Sequence, residues 1–337
     1  MTARPFTRRR FLGVAAAAAG LALLPASLLA QGVSVRTWPV RTWRGVALGA
    51  DACLQFAHPD PAEADRLIGL CLEEVARLER VFSLHRPDSA LVRLNRDGAL
   101  DPAPADLVRL LAETVDIGRR TDGAFDPTVQ PLWQLYAGHF GRPGADPDGP
   151  PATAVRAALG LVDYRSLRVD SGRVGFARRG MAATLNGIAQ GYVTDRVAER
   201  LRAEGMGDVL VDMGEIRALG HHPAGRPWTV GLKDPLDEER TAETLEVTDR
   251  AVATSGGYGT LFDPAGRFTH LFDPASGGCA REWLAVTVMA PDAMTADALS
   301  TALSVVPADR APAILNRFPG VAARFTRRDG SVLALRA

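Results

Sequence analysis

Stretches that alternate like strands are separated in this chain by helical patterns at irregular intervals, and that order limits the folds open to it. The run VALGADACLQFA (46–57) alternates small and apolar residues, whereas 61–81 repeats Leu67, Leu70, Leu72, Val75 and Leu78 as an amphipathic helix does. A second helix is expected over about 104–120, followed by a surface loop at 137–152 that is rich in Gly, Pro and Asp. Beyond it the patterns predict a helix near 151–159, strands near 167–178, a helix near 187–204, and strands at 208–214 and 227–235. Strands near 243–256 and 268–273 come next, then WLAVTVMA (283–290), a helix at 294–303, a helix from about 307 and a closing hairpin. No regular βαβ alternation runs through this order, so the fold class is α+β with mainly antiparallel sheets. The doubled LFDPA at 261–265 and 271–275 is too short for an architectural repeat and marks two turns.

The first 30 residues read as a leader. Arg8, Arg9 and Arg10 precede Phe11 and Leu12, an apolar stretch of small residues follows, and Ala30 suits cleavage, which is the pattern of a twin-arginine export signal. A membrane anchor is the rival reading, but the apolar run is short and is broken by Gly20 and Pro25. No Cys follows the small residues, which argues against a lipoprotein. The expected mature protein starts near Gln31 or Gly32, spans 31–337 and is soluble in the periplasm. With 47% hydrophobic residues it can build a sizeable core. The 39 basic and 39 acidic residues cancel, and the basic ones are scattered, so nothing favours a nucleic acid or an anionic membrane. Cys53, Cys71 and Cys279 are odd in number and far apart, as buried small hydrophobes would be.

The chemistry gathers in loops and in one helix. MTADALSTAL (294–303) places Asp297 and Thr301 four residues apart, so a carboxylate and a hydroxyl share one face of an otherwise apolar helix. Helix capping is the alternative use of such an Asp. GAFDPTVQPL (123–132) sets Asp126 and Thr128 around a turn-forming Pro127. LNGIAQGYVTD (185–195) flanks a helix start with Gly187 and Gly191, where free backbone N–H groups can meet a phosphate. ATSGGY (253–258) is a second Gly-rich turn with two hydroxyls, and THLFDPASGG (269–278) brings His270 near Asp273. Each of these alone reads equally as an ordinary loop, and there is no Walker signature or GxGxxG after a strand.

In this order, and together with LERVFSLHRPDSALVRLN (78–95), the segments resemble the ApbE family, the FAD:protein FMN transferases, over about residues 45–305. The resemblance implies a fold built on a duplicated α/β unit. It implies an enzyme that takes FAD, transfers the FMN half through a phosphoester to a Ser or Thr of a partner flavoprotein, and releases AMP. Asp297 and Thr301, with the backbone carbonyl of Ala189, are implied to bind Mg²⁺, whose preference for hard oxygen ligands matches them. Ser89 and Asn95 are implied at the flavin end, with Phe82 packing on a ring. Asp126, Thr128 and Gly187 are implied to line the nucleotide pocket, Asp212 to reach the adenosine, and Thr254 with Ser255 to face the phosphates. His270 is the candidate general base for the acceptor hydroxyl, with Asp273 as its orienting partner.

Three departures from the family's usual pattern stand out. Thr184, Asn186 and Gln190 replace an acidic residue, a Gly and a Lys; VDMGEIRALG (211–220) has Glu215 where a second Gly is usual; Gly257 replaces an acidic residue. Similar variants recur among ApbE-like proteins that accompany the membrane-bound flavoprotein of nitrous oxide respiration, which suggests an exported or membrane-bound acceptor. An FAD diphosphatase releasing FMN and AMP, and a non-catalytic exported flavin-binding protein, are the two other functions compatible with these residues.

Overall fold

A computed structural model describes residues 12–13 and 38–337. The expected export signal and the start of the mature chain lie outside the described residues, apart from Leu12–Gly13 (β1). One strand pattern, used twice, builds the central sheet. In its first copy Val40–Ala47 (β2) and Ala50–Ala57 (β3) form a hairpin, helices intervene, and Val209–Asp212 (β7) and Ile216–Leu219 (β8) complete the set. In its second copy Ala251–Gly256 (β11) and Trp283–Ala290 (β12) are followed by Ala293–Leu303 (α7) and Ala311–Leu315 (α8), then by Ala322–Arg327 (β13) and Val332–Arg336 (β14). The strands lie in the order β14-β13-β12-β11-β8-β7-β3-β2. Every neighbouring pair is antiparallel. Each copy is thus a four-stranded meander interrupted by helices after its second strand, and the copies join where β8 pairs with β11. This is the α+β fold, mainly antiparallel, that the irregular element order implies.

The interruption in the first copy is long. It runs through Pro61–Phe82 (α1), Ala90–Asp97 (α2), Ala105–Arg120 (α3), Gln130–Phe140 (α4), Ala152–Leu159 (α5) and Ala189–Ala203 (α6). A small sheet of Ala99–Leu100 (β4), Leu167–Asp170 (β5) and Arg173–Phe176 (β6) sits among these helices. Strand periodicity divides the interior. On β7, Val209 and Val211 join the core shared with α1, α3 and α6, while Leu210 faces the opposite side. That opposite side is covered by Trp228–Asp234 (β9) and Asp237–Val247 (β10), through Trp228, Val230 and Val247. On β11, Ala251 and Ala253 pack under α7, whereas Val252 faces β9.

Several boundaries differ from the sequence expectation. The segment 46–57 is a hairpin rather than one strand, turning at Leu48 and Gly49 with φ of 49° and 76°. The run 243–256 breaks at Asp249, φ 50°, and so β10 and β11 enter different sheets. Residues 268–273 form no strand; Thr269 and Phe272 make only isolated bridges, to Leu261 and Cys279. The start of the loop expected at 137–152 is the last turn of α4. The two LFDPA segments are turns, with Asp263 Oδ1 accepting the Phe268 amide and Asp273 Oδ1 that of Ala275. Cys53, Cys71 and Cys279 are buried free thiols. Among the described residues no helix is long and apolar enough to cross a membrane.

Helices α6 and α7, one from each copy, cross at Gly191. A Cβ built there would lie 2.2 Å from the Ala293 carbonyl oxygen, a backbone atom that cannot step aside. Gly191→Ala should therefore destabilise the fold by at least about 1–3 kcal/mol in urea denaturation. Gly69→Ala, in the interior of α1 with nothing within 4 Å of the added methyl, should instead stabilise it by about 0.5–1 kcal/mol.

Candidate active site

The first turn of a helix leaves its backbone N–H groups without intrahelical acceptors. Asp297, on α7 and only 3% exposed, uses Oδ2 to accept the Gly191 amide from the first turn of α6 at 2.9 Å. In the reverse direction Asp195, on α6, accepts the Ala293 amide through Oδ1 at 2.9 Å and the Met294 amide through Oδ2 at 2.8 Å, both from the first turn of α7. Asp292 caps the next amide, that of Thr295, at 2.7 Å. Each helix thus supplies a carboxylate to the other's N-terminus, where the helix dipole favours negative charge. Burial pushes the Asp195 carboxyl up to about 7, with the Asp292 charge adding to it, while the two amides and Arg217 pull it down.

Around Asp297 the oxygens converge. Ser255 Oγ lies 2.7 Å from Ser300 Oγ and 3.2 Å from Thr301 Oγ1. A Cβ on Gly187 would come within 2.7 Å of Thr301 Oγ1, so the glycine lets the segment before α6 approach that hydroxyl. Ala189, the first residue of α6, sits between Gly187 and Gly191. Asp297, Thr301, Ser255 and the backbone of 187–191 therefore form one corner made of hard oxygens and amides. That donor set suits a hard cation and phosphate oxygens. Among the described residues no three His, Cys, Asp or Glu gather as a cation cage.

The loop that carries His270 packs beside the turn that follows β11, the strand of Ser255. The turn that follows Ser255 packs on the histidine loop, because a Cβ on Gly257 would meet Thr269 Cγ2 at 2.9 Å. The glycine that replaces an acidic residue at 257 is what permits this approach. His270 Nδ1 lies 3.3 Å from the Thr260 carbonyl oxygen, which can only accept, and in the tautomer that donates to it Nε2 is the basic nitrogen. The Asp273 carboxylate serves its own turn, accepting the Ala275 amide and the Ser276 hydroxyl. The loop is anchored by Tyr136 of α4, whose ring lies 5.1 Å from Phe272 and 5.8 Å from Phe268.

Other residues expected in the pocket hold the frame. Asp126 Oδ1 accepts the Thr128 amide and hydroxyl, and Oδ2 accepts the Tyr164 amide at 2.8 Å. Thr128, fully buried, accepts the Asp163 amide at 2.7 Å, so this pair braces one loop against another. Burial raises the Asp126 carboxyl, opposed by those hydrogen bonds. Ser89 is the buried N-cap of α2 and donates to the Ser83 carbonyl at 2.6 Å. Asn95 pairs with both backbone groups of Ala183, at 2.7 and 2.8 Å, and so pins the segment leading to Gly187. Phe82 is 3% exposed and meets Tyr192 edge-on at 5.5 Å, which makes it core rather than a flavin platform. Thr254 points away from the corner and bonds Thr287 at 2.8 Å, because strand alternation turns it opposite to Ser255. Asp212 ends β7 and accepts the Gly214 amide at 2.9 Å. The following turn bonds α6 through Glu215 O and the Thr194 hydroxyl.

The sequence model of the ApbE family matches residues 49–325. The chain belongs to this family. It is 34% identical to an FAD:protein FMN transferase of Treponema pallidum, an alignment that spans 78% of each chain. The crystal structure of the Pseudomonas stutzeri flavinyl transferase ApbE, at 30% identity, superposes with a TM-score of 0.74 and covers 88% of this chain and 94% of that one. The ApbE protein of Thermotoga maritima gives 0.77 at 27% identity, over 88% and 96%. Within this ApbE chain, Gln190 is 5% exposed and its Nε2 has no hydrogen-bond partner, where the family's pattern has a lysine. Asp195 and Ser300 were missed as site residues by sequence reasoning. Asp195 ends the LNGIAQGYVTD segment one helical turn after Gly191, so its period was the available signal.

Thr128→Val should leave the Asp163 amide without its acceptor and cost about 1–3 kcal/mol in chemical denaturation. FAD affinity of the folded variant, measured by flavin fluorescence, should remain native, since the pair braces loops rather than lining the pocket.

Proposed function

We propose that this chain takes FAD, transfers FMN to a Ser or Thr hydroxyl of a protein acceptor, and releases AMP. The observation that carries this reading is the corner of buried Asp297 with half-buried Thr301 and Ser255, facing the amide-rich start of α6 in a chain of the ApbE family. Asp297, Thr301 and the Ala189 carbonyl would hold Mg²⁺, a hard cation that needs few protein oxygens. Once bound, the ion supplies neutralisation of the diphosphate charge. Ser255 and the Gly187 backbone orient the phosphates, and Asp212 serves the adenosine end. His270 Nε2 takes the proton of the acceptor hydroxyl as its oxygen bonds to the FMN phosphorus. The bond from that phosphorus to the bridging oxygen breaks, and AMP leaves. Asp273, Asp126, Thr128, Ser89, Asn95, Phe82 and Thr254 act by holding the framework.

The leader supports a periplasmic location reached by the twin-arginine route, and the acceptor is accordingly an exported or membrane-bound flavoprotein. Co-expression of the chain with candidate acceptors, read as flavin fluorescence that survives denaturing electrophoresis, tests the transfer. FMN and AMP release without any labelled acceptor would identify a diphosphatase instead.

Asp297→Ala should lower Mg²⁺-dependent transfer by at least about 10²-fold in a folded protein, the scale for losing a charge-stabilising group. Thr301→Ala should cost less, since water can replace a neutral oxygen.

His270→Ala should slow single-turnover transfer by roughly 10²–10⁴-fold while FAD binding persists. The native rate should fall as the imidazole is protonated, and the variant should lack that acid limb. Weak FAD binding with a near-native rate at saturation would sink the base assignment.

A further inference from the structure

A second polar region lies at the far end of the α6–α7 contact. A cleft of about 270 Å³ there is lined by Asp195, Asp292, Arg109, Arg196 and Arg217, outside the corner described above. Its charges pair with one another: Arg196 bonds Glu199 at 2.6 Å, and Arg217 lies 3.9 Å from Asp195 and donates to the Pro291 carbonyl. The cleft therefore reads as a frame rather than a ligand pocket, and Asp195 is the member that bonds both α7 amides.

We infer that Asp195 is a positioning residue for the cation corner, setting the depth at which α7 presents Asp297 to the start of α6. This rests on the reading that Asp297 holds a divalent cation. The argument is geometric. Asp195 takes the first two amides of α7, and Asp297, on the next turn of α7, takes the Gly191 amide, on the turn of α6 before Asp195. Between the two carboxylates the backbones touch at Gly191 and Ala293, leaving no side chain to cushion a shift. Asp292, by contrast, caps α7 from within and ties it to nothing else. Loss of Asp195 frees two amides and the lateral tie together, whereas loss of Asp292 removes only a cap.

The test is Mn²⁺ binding to the purified protein with FAD present, followed by the paramagnetic resonance of free Mn²⁺, beside FAD affinity in chelator. Asp195→Asn should weaken Mn²⁺ by about 10-fold or more, the usual scale for residues that orient ligands, and leave FAD affinity in chelator within about twofold. Hydrogen exchange should quicken at Gly191 as well as at Ala293 and Met294. Asp292→Asn should lower the melting temperature yet keep native Mn²⁺ affinity. If Asp195→Asn fails to fold, Asp195→Ser, which keeps one acceptor, carries the same expectation. Native Mn²⁺ affinity in either folded Asp195 variant overturns the inference. Asp297→Asn separates the two claims: if it binds Mn²⁺ as the native protein does, the cation reading itself fails and the inference with it.

Discussion

Two carboxylates exchanged between two helices, one buried and one largely so, are the interaction on which the rest of the architecture depends. Burying an ionised carboxylate costs several kcal/mol unless its charge is met by fixed partners. Here the partners are first-turn amides, which would themselves be orphaned without an acceptor. Charge-assisted hydrogen bonds of this kind contribute about 1.5–3 kcal/mol each and offset part of the desolvation, although burial still leaves the Asp195 carboxyl raised to about 7. Asp195 and Asp297 therefore fix the spacing of α6 and α7, and Gly191 makes that spacing short enough for the exchange.

The duplicated meander explains why the exchange is mutual. Each copy of the strand pattern places helices after its second strand, and pairing β8 with β11 sets the copies side by side. The crossover helices then lie over the seam on the same sheet face. Each helix sees the other in a similar relation, so one solution to the capping problem serves twice. On the Asp297 side the hydroxyls of Ser255, Ser300 and Thr301 cluster, Ser300 donating to the Asp297 backbone carbonyl. The asymmetry of the chemistry thus comes from a few side chains laid over a near-symmetric frame.

The sequence made the ordered motifs, the α+β class and the oxygen pair on α7 legible, because each is carried by local spacing. The i, i+4 relation of Asp297 and Thr301 needs no tertiary knowledge. What the sequence hid was direction. Nothing local distinguishes a Ser that faces a ligand from one that caps α2, as Ser89 does, or an Asp that faces a nucleotide from one that braces Tyr164, as Asp126 does. Thr254 and Ser255 are a clearer case: adjacent strand residues point to opposite faces, so both could not serve the same corner. Asp273, near His270 in sequence, is seen to accept the Ala275 amide and the Ser276 hydroxyl of its own turn, a use that spacing alone does not announce.

His270 and the oxygen corner belong to different hydrophobic cores. The histidine loop is seated on a satellite cluster of Tyr136, Phe268 and Phe272, while Asp297 and Thr301 ride on a helix packed into the main sheet. Substitutions in the satellite therefore alter how the loop is presented without disturbing the phosphate-facing frame. In evolutionary terms the two parts are separable modules: the loop on the satellite cluster can change its presentation while the corner stays under the constraint of the seam.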